Sequence, residues 1–191
     1  MEAERLLAML MHGNQLKRTA RTGWGQRGVP APESVAAHSY GAIYTALLLA
    51  ELIDPAPDLA AVLAMATLHD LPEGLTTDIP APAWRLFPEG AKASAEWHAM
   101  HEIFGDAPFG SRLLGLWEEL HHNRTVEAQL VHDADKLDQF LQAYLYERQT
   151  GNQQLNEFWR QPHRFNFPQA QAVYEELRRL RSIRDVEGAT G

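Results

Sequence analysis

The chain of 191 residues has 45% hydrophobic and 22% charged residues, which predicts a soluble single-domain protein with a sizeable core and no membrane span. Its formal net charge is -8 and it has no basic run interleaved with aromatic residues, so extended nucleic acid is an unfavourable partner. Because the chain has no cysteine, a metal could be bound only through imidazole and carboxylate groups, and the acidic start without a secretory signal predicts a cytoplasmic protein.

Helical periodicity and Pro/Gly breaks predict an all-α protein without strands. The first helix covers about residues 2–18, and its apolar residues fall on one face: Leu6, Leu7, Leu10 and Met11. A loop follows at RTGWGQRGVPAPES, because three Gly and two Pro are too many for a helix. Further helices are predicted at about 34–53, 58–69 with Asp58 as N-cap, 89–104, 109–122, 125–149 and 168–185.

The third helix leads into a cluster of ligand-type side chains, ATLHDLPEGLTTDIP, where Pro72 terminates the helix near Asp70. Adjacent helical residues such as His69 and Asp70 point about 100° apart, so both reach one metal ion only if the ion lies over the helix end. A hydrolytic metal site needs further imidazole or carboxylate ligands and an open position for water. Glu73 and Asp78 follow as candidates for proton transfer, although both also fit ordinary loop carboxylates.

The remaining ligands must come from other helices. His38 in ESVAAHSYG is one candidate, although a lone histidine in an apolar helix is more often a core or surface residue. In the helix at 125–149, periodicity predicts a buried stripe of Leu130, Ala134, Leu137, Leu141 and Leu145. Three aspartates lie at the margins or near the middle of this stripe, and periodicity does not choose between them: Asp133, Asp135 and Asp138.

Three segments, in this order, resemble the HD-domain phosphohydrolases and specifically their 5'-deoxynucleotidase branch: LKRTARTGWGQRGVPAPESVAAHS, HDLPEGLTTDIP and HDADKLDQFLQAYLYE. The resemblance spans about residues 14–150. It implies an HD-type helical bundle forming a single HD domain over residues 1–191, with the helix at about 168–185 packed on the core. It also implies a homodimer and one divalent ion, with Co, Mn and Zn as the alternatives.

The resemblance further implies a role for individual residues. The metal ligands would be His38, His69, Asp70 and Asp135; the catalytic carboxylates would be Glu73 and Asp78; the nucleotide would meet Arg21, Trp24 and Arg27. The activity implied is hydrolysis of deoxyribonucleoside 5'-monophosphates, with Trp24 as a flat wall that would crowd a ribose 2'-hydroxyl. Trp24 also fits a hydrophobic plug over the core. The rival functions are an HD hydrolase of another nucleotide or phosphomonoester, and a catalytically silent nucleotide-binding helical module.

Two positions depart from the family pattern. The family usually has Glu or Asp immediately before the first metal histidine, where this chain has Ala37, so a nearby charge or hydrogen bond is missing. Well-known bacterial members have Arg directly before the tryptophan, where this chain has Gly23. The phosphate contact is therefore expected from Arg21 or Arg27, with Ser39 and Lys92 as further candidates.

Overall fold

The computed structural model describes residues 2–84, 86–160 and 162–188, and this part of the chain is all-α, as predicted. It contains ten α-helices and one 3₁₀ helix. The α-helices are α1 Ala3–Gln15, α2 Thr22–Gly25, α3 Val35–Ala50, α4 Leu59–Leu68, α5 Glu73–Thr76, α6 Ala81–Trp84, α7 Ala91–Phe104, α8 Gly110–His122, α9 Val126–Thr150 and α10 Pro168–Gly188, with the 3₁₀ helix at Gln153–Trp159 between α9 and α10. None of the described helices is long and apolar enough to cross a membrane.

Side-chain caps fix where the central helices begin. The Ser34 side chain accepts a hydrogen bond from the backbone N–H of Ala37 at the start of α3. Asp58, the predicted N-cap, accepts from two backbone N–H groups at the start of α4. Each cap satisfies donors that have no acceptor within the helix.

The 25-residue helix α9 is the centre of the fold and packs against α3, α4, α8, α10 and the 3₁₀ helix. The main core includes Met65 from α4, Leu130 and Phe140 from α9 and Tyr174 from α10. A smaller cluster joins α1, α7 and α8 around Met100. The predicted C-terminal helix therefore packs directly on the helix that carries the aspartates.

The predicted buried stripe of α9 needs correction, and the apolar face of α1 has an unexpected environment. In α9, Leu141 and Leu145 are exposed, because beyond Leu137 the buried positions shift to Phe140, Ala143, Tyr144 and Tyr146, which belong to the main core together with residues of the 3₁₀ helix and α10. In α1, the apolar face predicted from the sequence is exposed to solvent, and Met9 is the buried residue.

The predicted loop at 21–34 is compact. Its ends are joined by an isolated bridge between Ala20 and Ser34, and the Arg21 N–H donates to the Glu33 carbonyl at 3.0 Å. The Tyr146 hydroxyl on α9 lies 2.8 Å from the Glu33 N–H, which donates to it. The loop contains one helical turn, α2, which the sequence did not predict.

Candidate metal centre and active site

Four predicted ligands from three parts of the chain meet at one point. His38 lies in the first turn of α3, His69 caps the end of α4 with Asp70 next to it, and Asp135 lies within α9. The His38 Nε2 atom is 2.9 Å from Asp135 Oδ1 and 3.7 Å from Asp70 Oδ2. The His69 Nε2 atom is 3.4 Å from His38 Nε2 and 3.3 Å from Asp70 Oδ2. The structure thus brings these four groups together.

The chemistry of this donor set fits a divalent cation. The Nδ1 atom of His69 donates to the Ala66 carbonyl at 2.8 Å, and that of His38 donates to Asp138 Oδ2 at 2.7 Å. In its neutral form, each ring would therefore present the lone pair of its Nε2 atom to the centre. Ligand atoms of His38, His69 and Asp135 all lie within 4.8 Å of one another. Two imidazoles with carboxylates form the ligand set expected for Zn or a similar ion.

The electrostatics of the centre also favour the binding of a cation. Burial would raise the pKa of Asp70, but the charges of His69 and Arg21 outweigh burial and hold that pKa well below its usual range. Burial would likewise lower the pKa of His38, but its hydrogen bonds to Asp135 and Asp138 raise that pKa to about 10. The centre therefore retains ionised carboxylates and attracts a proton or a metal ion.

A carboxylate from α9 fixes the orientation of the first histidine. Asp138 is buried and contacts His38 on the side of the ring that faces away from the centre. Gly41 makes this contact possible, because a β-carbon at that position would lie 2.1 Å from Asp138 Oδ1. The acidic neighbour that the sequence lacks at Ala37 is thus supplied from another helix. Such an outer carboxylate sets the tautomer and raises the basicity of a ligating imidazole.

The two predicted catalytic carboxylates lie close to the centre but in different surroundings. Glu73 begins α5 and is buried, and its Oε2 atom has no hydrogen-bond partner among the described residues. Burial, followed by the charges of Asp70 and Asp78, raises the pKa of Glu73 to about 9. Asp78 is held by the loop, because its Oδ2 atom accepts from the Thr22 backbone N–H at 2.6 Å.

A cavity of about 520 Å³ opens over these groups. Seven of the nine predicted site residues line it: Arg21, Trp24, Arg27, Asp70, Glu73, Asp78 and Asp135. The two histidines are not among its described lining residues, although His69 lines a smaller neighbouring cavity of about 160 Å³. Among the further lining residues that the sequence did not single out are Trp84, Lys136, Gln139 and Phe158. For Lys136, the available signal was its position directly after Asp135.

The side chains of the predicted nucleotide-binding residues already contact other side chains of the protein. The Arg21 Nη1 atom lies 2.9 Å from Asp70 Oδ2. The Arg27 Nε atom lies 3.2 Å from Glu157 Oε2, and its guanidinium lies over the Phe158 ring. Trp24 is only 2% exposed, and its indole N–H donates to Glu33. The packing of Trp24 corresponds to the plug over the core, with part of the side chain reaching the cavity wall.

The three aspartates of α9 have three different environments. Asp135 faces His38 at the centre, and Asp138 contacts the opposite nitrogen of the same ring. Asp133 is buried elsewhere and accepts hydrogen bonds from the backbone N–H groups of Asn166 and Phe167, just before α10. Asp133 therefore anchors the C-terminal segment and does not contact His38.

Ser39 and Lys92, the two further candidates for the phosphate contact, both interact with residues of their own helices. The Ser39 hydroxyl donates to the Val35 carbonyl at 2.9 Å, and Ser39 is not among the described residues that line the large cavity. Lys92 does line the cavity, where it pairs with Glu96 at 3.3 Å.

Comparisons with known proteins identify the family of this chain. A family model described as HD domain matches residues 13–173. The chain is 32% identical over 183 residues to the 5'-deoxynucleotidase HDDC2 of Danio rerio, covering 94% of this chain and 89% of the relative. It is 34% identical over 186 residues to the 5'-deoxynucleotidase HDDC2 of Homo sapiens, covering 94% and 88% of the two chains. A solved structure, a conserved hypothetical protein from Pyrococcus furiosus, superposes with a TM-score of 0.79 at 36% identity over 91% of this chain and 99% of that one. The chain belongs to the HD domain family.

Proposed function

We propose that this protein is a metal-dependent 5'-deoxynucleotidase, which hydrolyses deoxyribonucleoside 5'-monophosphates to deoxyribonucleosides and phosphate. The observation that carries the proposal is the convergence of His38, His69, Asp70 and Asp135 beside a cavity lined by two further carboxylates. The naming of the curated relatives as 5'-deoxynucleotidases supports the choice of substrate. The cavity of about 520 Å³ lies within the usual range for small-molecule sites.

In this proposal His38, His69, Asp70 and Asp135 hold one divalent ion, with Co, Mn and Zn as the alternatives. When bound, such an ion supplies positive charge for the phosphoryl oxygens and acidifies a water molecule. Asp138 keeps the His38 ring oriented through the hydrogen bond to Nδ1. Arg21 neutralises part of the negative charge on Asp70.

Glu73 and Asp78 share the proton transfers of hydrolysis. Glu73 is the better candidate for protonating the departing 5'-oxygen, because it is buried at the cavity and its pKa of about 9 leaves it protonated near neutral pH. Asp78, held by Thr22 at the cavity wall, is then the group that orients and deprotonates the attacking water. Each contribution is worth roughly 10² to 10⁴ in rate.

The direct test is phosphate release from dAMP, AMP, dATP and a generic phosphomonoester, each with Co, Mn, Zn or Mg added to stripped protein. We expect dAMP to be hydrolysed faster than AMP or dATP, and His69→Ala or Asp70→Ala to abolish both metal binding and turnover. His98→Ala is a matched control, because that exposed histidine donates to the Ser94 carbonyl on its own helix. Full activity in either site variant, or no phosphate release with any of the ions, refutes the proposal.

We further propose that the protein forms a homodimer in the cytoplasm. The dimer is supported by a row of exposed apolar side chains on α3. Tyr40 is 71% and Tyr44 52% exposed, and the exposed Leu48 lies one turn further on. Light scattering should give twice the monomer mass, and Tyr44→Glu should lower it to the monomer mass. A monomer at assay concentration contradicts the dimer, and cell fractionation tests the compartment.

A further inference from the structure

The Lys and Arg side chains that line the large cavity over the metal centre, here called the catalytic cavity, differ in whether a carboxylate is paired with them. Four Lys and Arg side chains are among its described lining residues: Arg21, Arg27, Lys92 and Lys136. Three of them already have a carboxylate partner, at 2.9 Å for Arg21, 3.2 Å for Arg27 and 3.3 Å for Lys92. A paired cation offers less of its charge to a ligand, because its donors are partly occupied.

Lys136 is the exception. Among the described residues its ammonium forms no ion pair, and its contacts are neutral: Gln139 Oε1 at 2.6 Å and the Phe140 ring, whose centroid lies 5.4 Å from Nζ. The side chain is partly buried. A partly buried ammonium has lost some of its hydration, and an anion would restore the lost interaction.

The position of Lys136 decides which anion it can meet. It follows Asp135 directly on α9, and both residues line the cavity that also contains Glu73 and Asp78. The only hydrogen bond that the described chain gives Nζ is to the side-chain oxygen of Gln139, three residues further along the same helix. This bond leaves two of the three ammonium protons available.

We propose that Lys136 binds a non-bridging phosphoryl oxygen of the substrate, with Gln139 holding its ammonium in place. The assignment rests on the proposed function and adds to it a phosphate-binding residue that the sequence analysis did not identify. It also supplies a phosphate contact for a chain that has Gly23 where well-known bacterial members of the family have Arg. The two arginines expected to make that contact, Arg21 and Arg27, are both paired with carboxylates. The positively charged side chain that contacts the phosphate thus comes from α9 and not from the loop at 21–34.

The test compares Lys136→Met, which removes the charge and keeps most of the stem, with Lys136→Arg, which keeps the charge. Inorganic phosphate is titrated calorimetrically into the Co-loaded protein, and kcat/KM is measured with dAMP. A charge-assisted hydrogen bond typically contributes enough to weaken phosphate binding and kcat/KM roughly 10- to 100-fold when it is lost. Lys136→Arg should recover at least part of both.

Co affinity and thermal stability separate binding from structure. We expect Lys136→Met to keep the Co affinity and melting temperature of the wild type. Lys17→Met is the matched control, because Lys17 is exposed, does not line the catalytic cavity and should leave every measurement unchanged. Unchanged phosphate affinity in Lys136→Met, or a loss that merely follows lost Co binding, overturns the inference.

The same measurements distinguish this inference from the proposed function. Wild-type protein that hydrolyses dAMP, with an equally active Lys136→Met variant, retains the function and rejects Lys136 as a phosphate ligand. Wild-type protein that hydrolyses none of the substrates but binds phosphate through Lys136 rejects the function and retains the binding site.

Discussion

Gly41 on α3 allows Asp138 on α9 to approach His38, and Gly41→Ala removes that space. The added β-carbon would lie 2.1 Å from Asp138 Oδ1 and 2.7 Å from its Cγ, well inside the roughly 3.5 Å at which carbon atoms make contact. Asp138 must therefore move away from the ring. Losing this hydrogen bond between charged groups costs about 1.5–3 kcal/mol, and overpacking the interface costs about 1–3 kcal/mol. Removing a mid-helix glycine returns about 1 kcal/mol, so we expect a net destabilisation of about 1.5–5 kcal/mol.

Two measurements and two controls test this reasoning. Denaturant unfolding should show the loss of stability, and calorimetry should show Co affinity reduced roughly 10- to 100-fold, as expected when an outer carboxylate is lost. Gly115→Ala on α8 is the matched control, since no described atom lies within 4 Å of its added β-carbon. It should be stabilised by about 0.5–1 kcal/mol.

The second control is a double-mutant cycle with Asp138→Ala. Once the Asp138 carboxylate is absent, the β-carbon added by Gly41→Ala meets no clash, and the substitution should be neutral or stabilising. A Gly41→Ala variant with wild-type stability and Co affinity would refute the reasoning, and so would an equal penalty in both backgrounds.

Three further predictions follow from particular contacts. Trp24→Ala should destabilise the protein by about 3–5 kcal/mol, because Trp24 is a core residue; urea unfolding close to that of the wild type would contradict this burial. Asp133→Ala should cost about 1.5–3 kcal/mol, because the Asn166 N–H loses its acceptor, while Co affinity should remain, in contrast to Asp135→Ala. The pKa of Glu73 rises from 4.5 to about 9 in the fold, so the native state keeps a proton that the unfolded chain releases, and stability falls as pH rises between these values. In metal-free Glu73→Gln, thermal unfolding from pH 6 to pH 9 should show a shallower decline, and an identical slope would reject the effect.

Helix positions were predictable because the signals that create helices are local. Asp58 was expected as an N-cap and accepts from the N–H groups of Ala60 and Ala61, a contact made within four residues. The end of α4 before Pro72 is also local, since a proline has no N–H to donate to the carbonyl four residues earlier and therefore does not continue the helix. The buried face of α9 was predicted wrongly at Leu141 and Leu145, because burial there depends on the 3₁₀ helix and α10, which lie later in the chain.

The chemistry of the centre can be read from the amino-acid sequence: a His-Asp pair at a helix end, a distant histidine, a choice of aspartates and no thiolate. Periodicity left the aspartates of α9 open, and the family resemblance named Asp135. The contact of Asp138 with His38 depends on how α9 packs against α3, because α9 can present different faces to α3 without any change in its periodicity. The availability of each cation was decided in the same way, since Arg27 meets Glu157 across 130 positions of the chain. Short-range sequence patterns specify helices and their caps, whereas ion pairs between distant residues form only once those helices have packed.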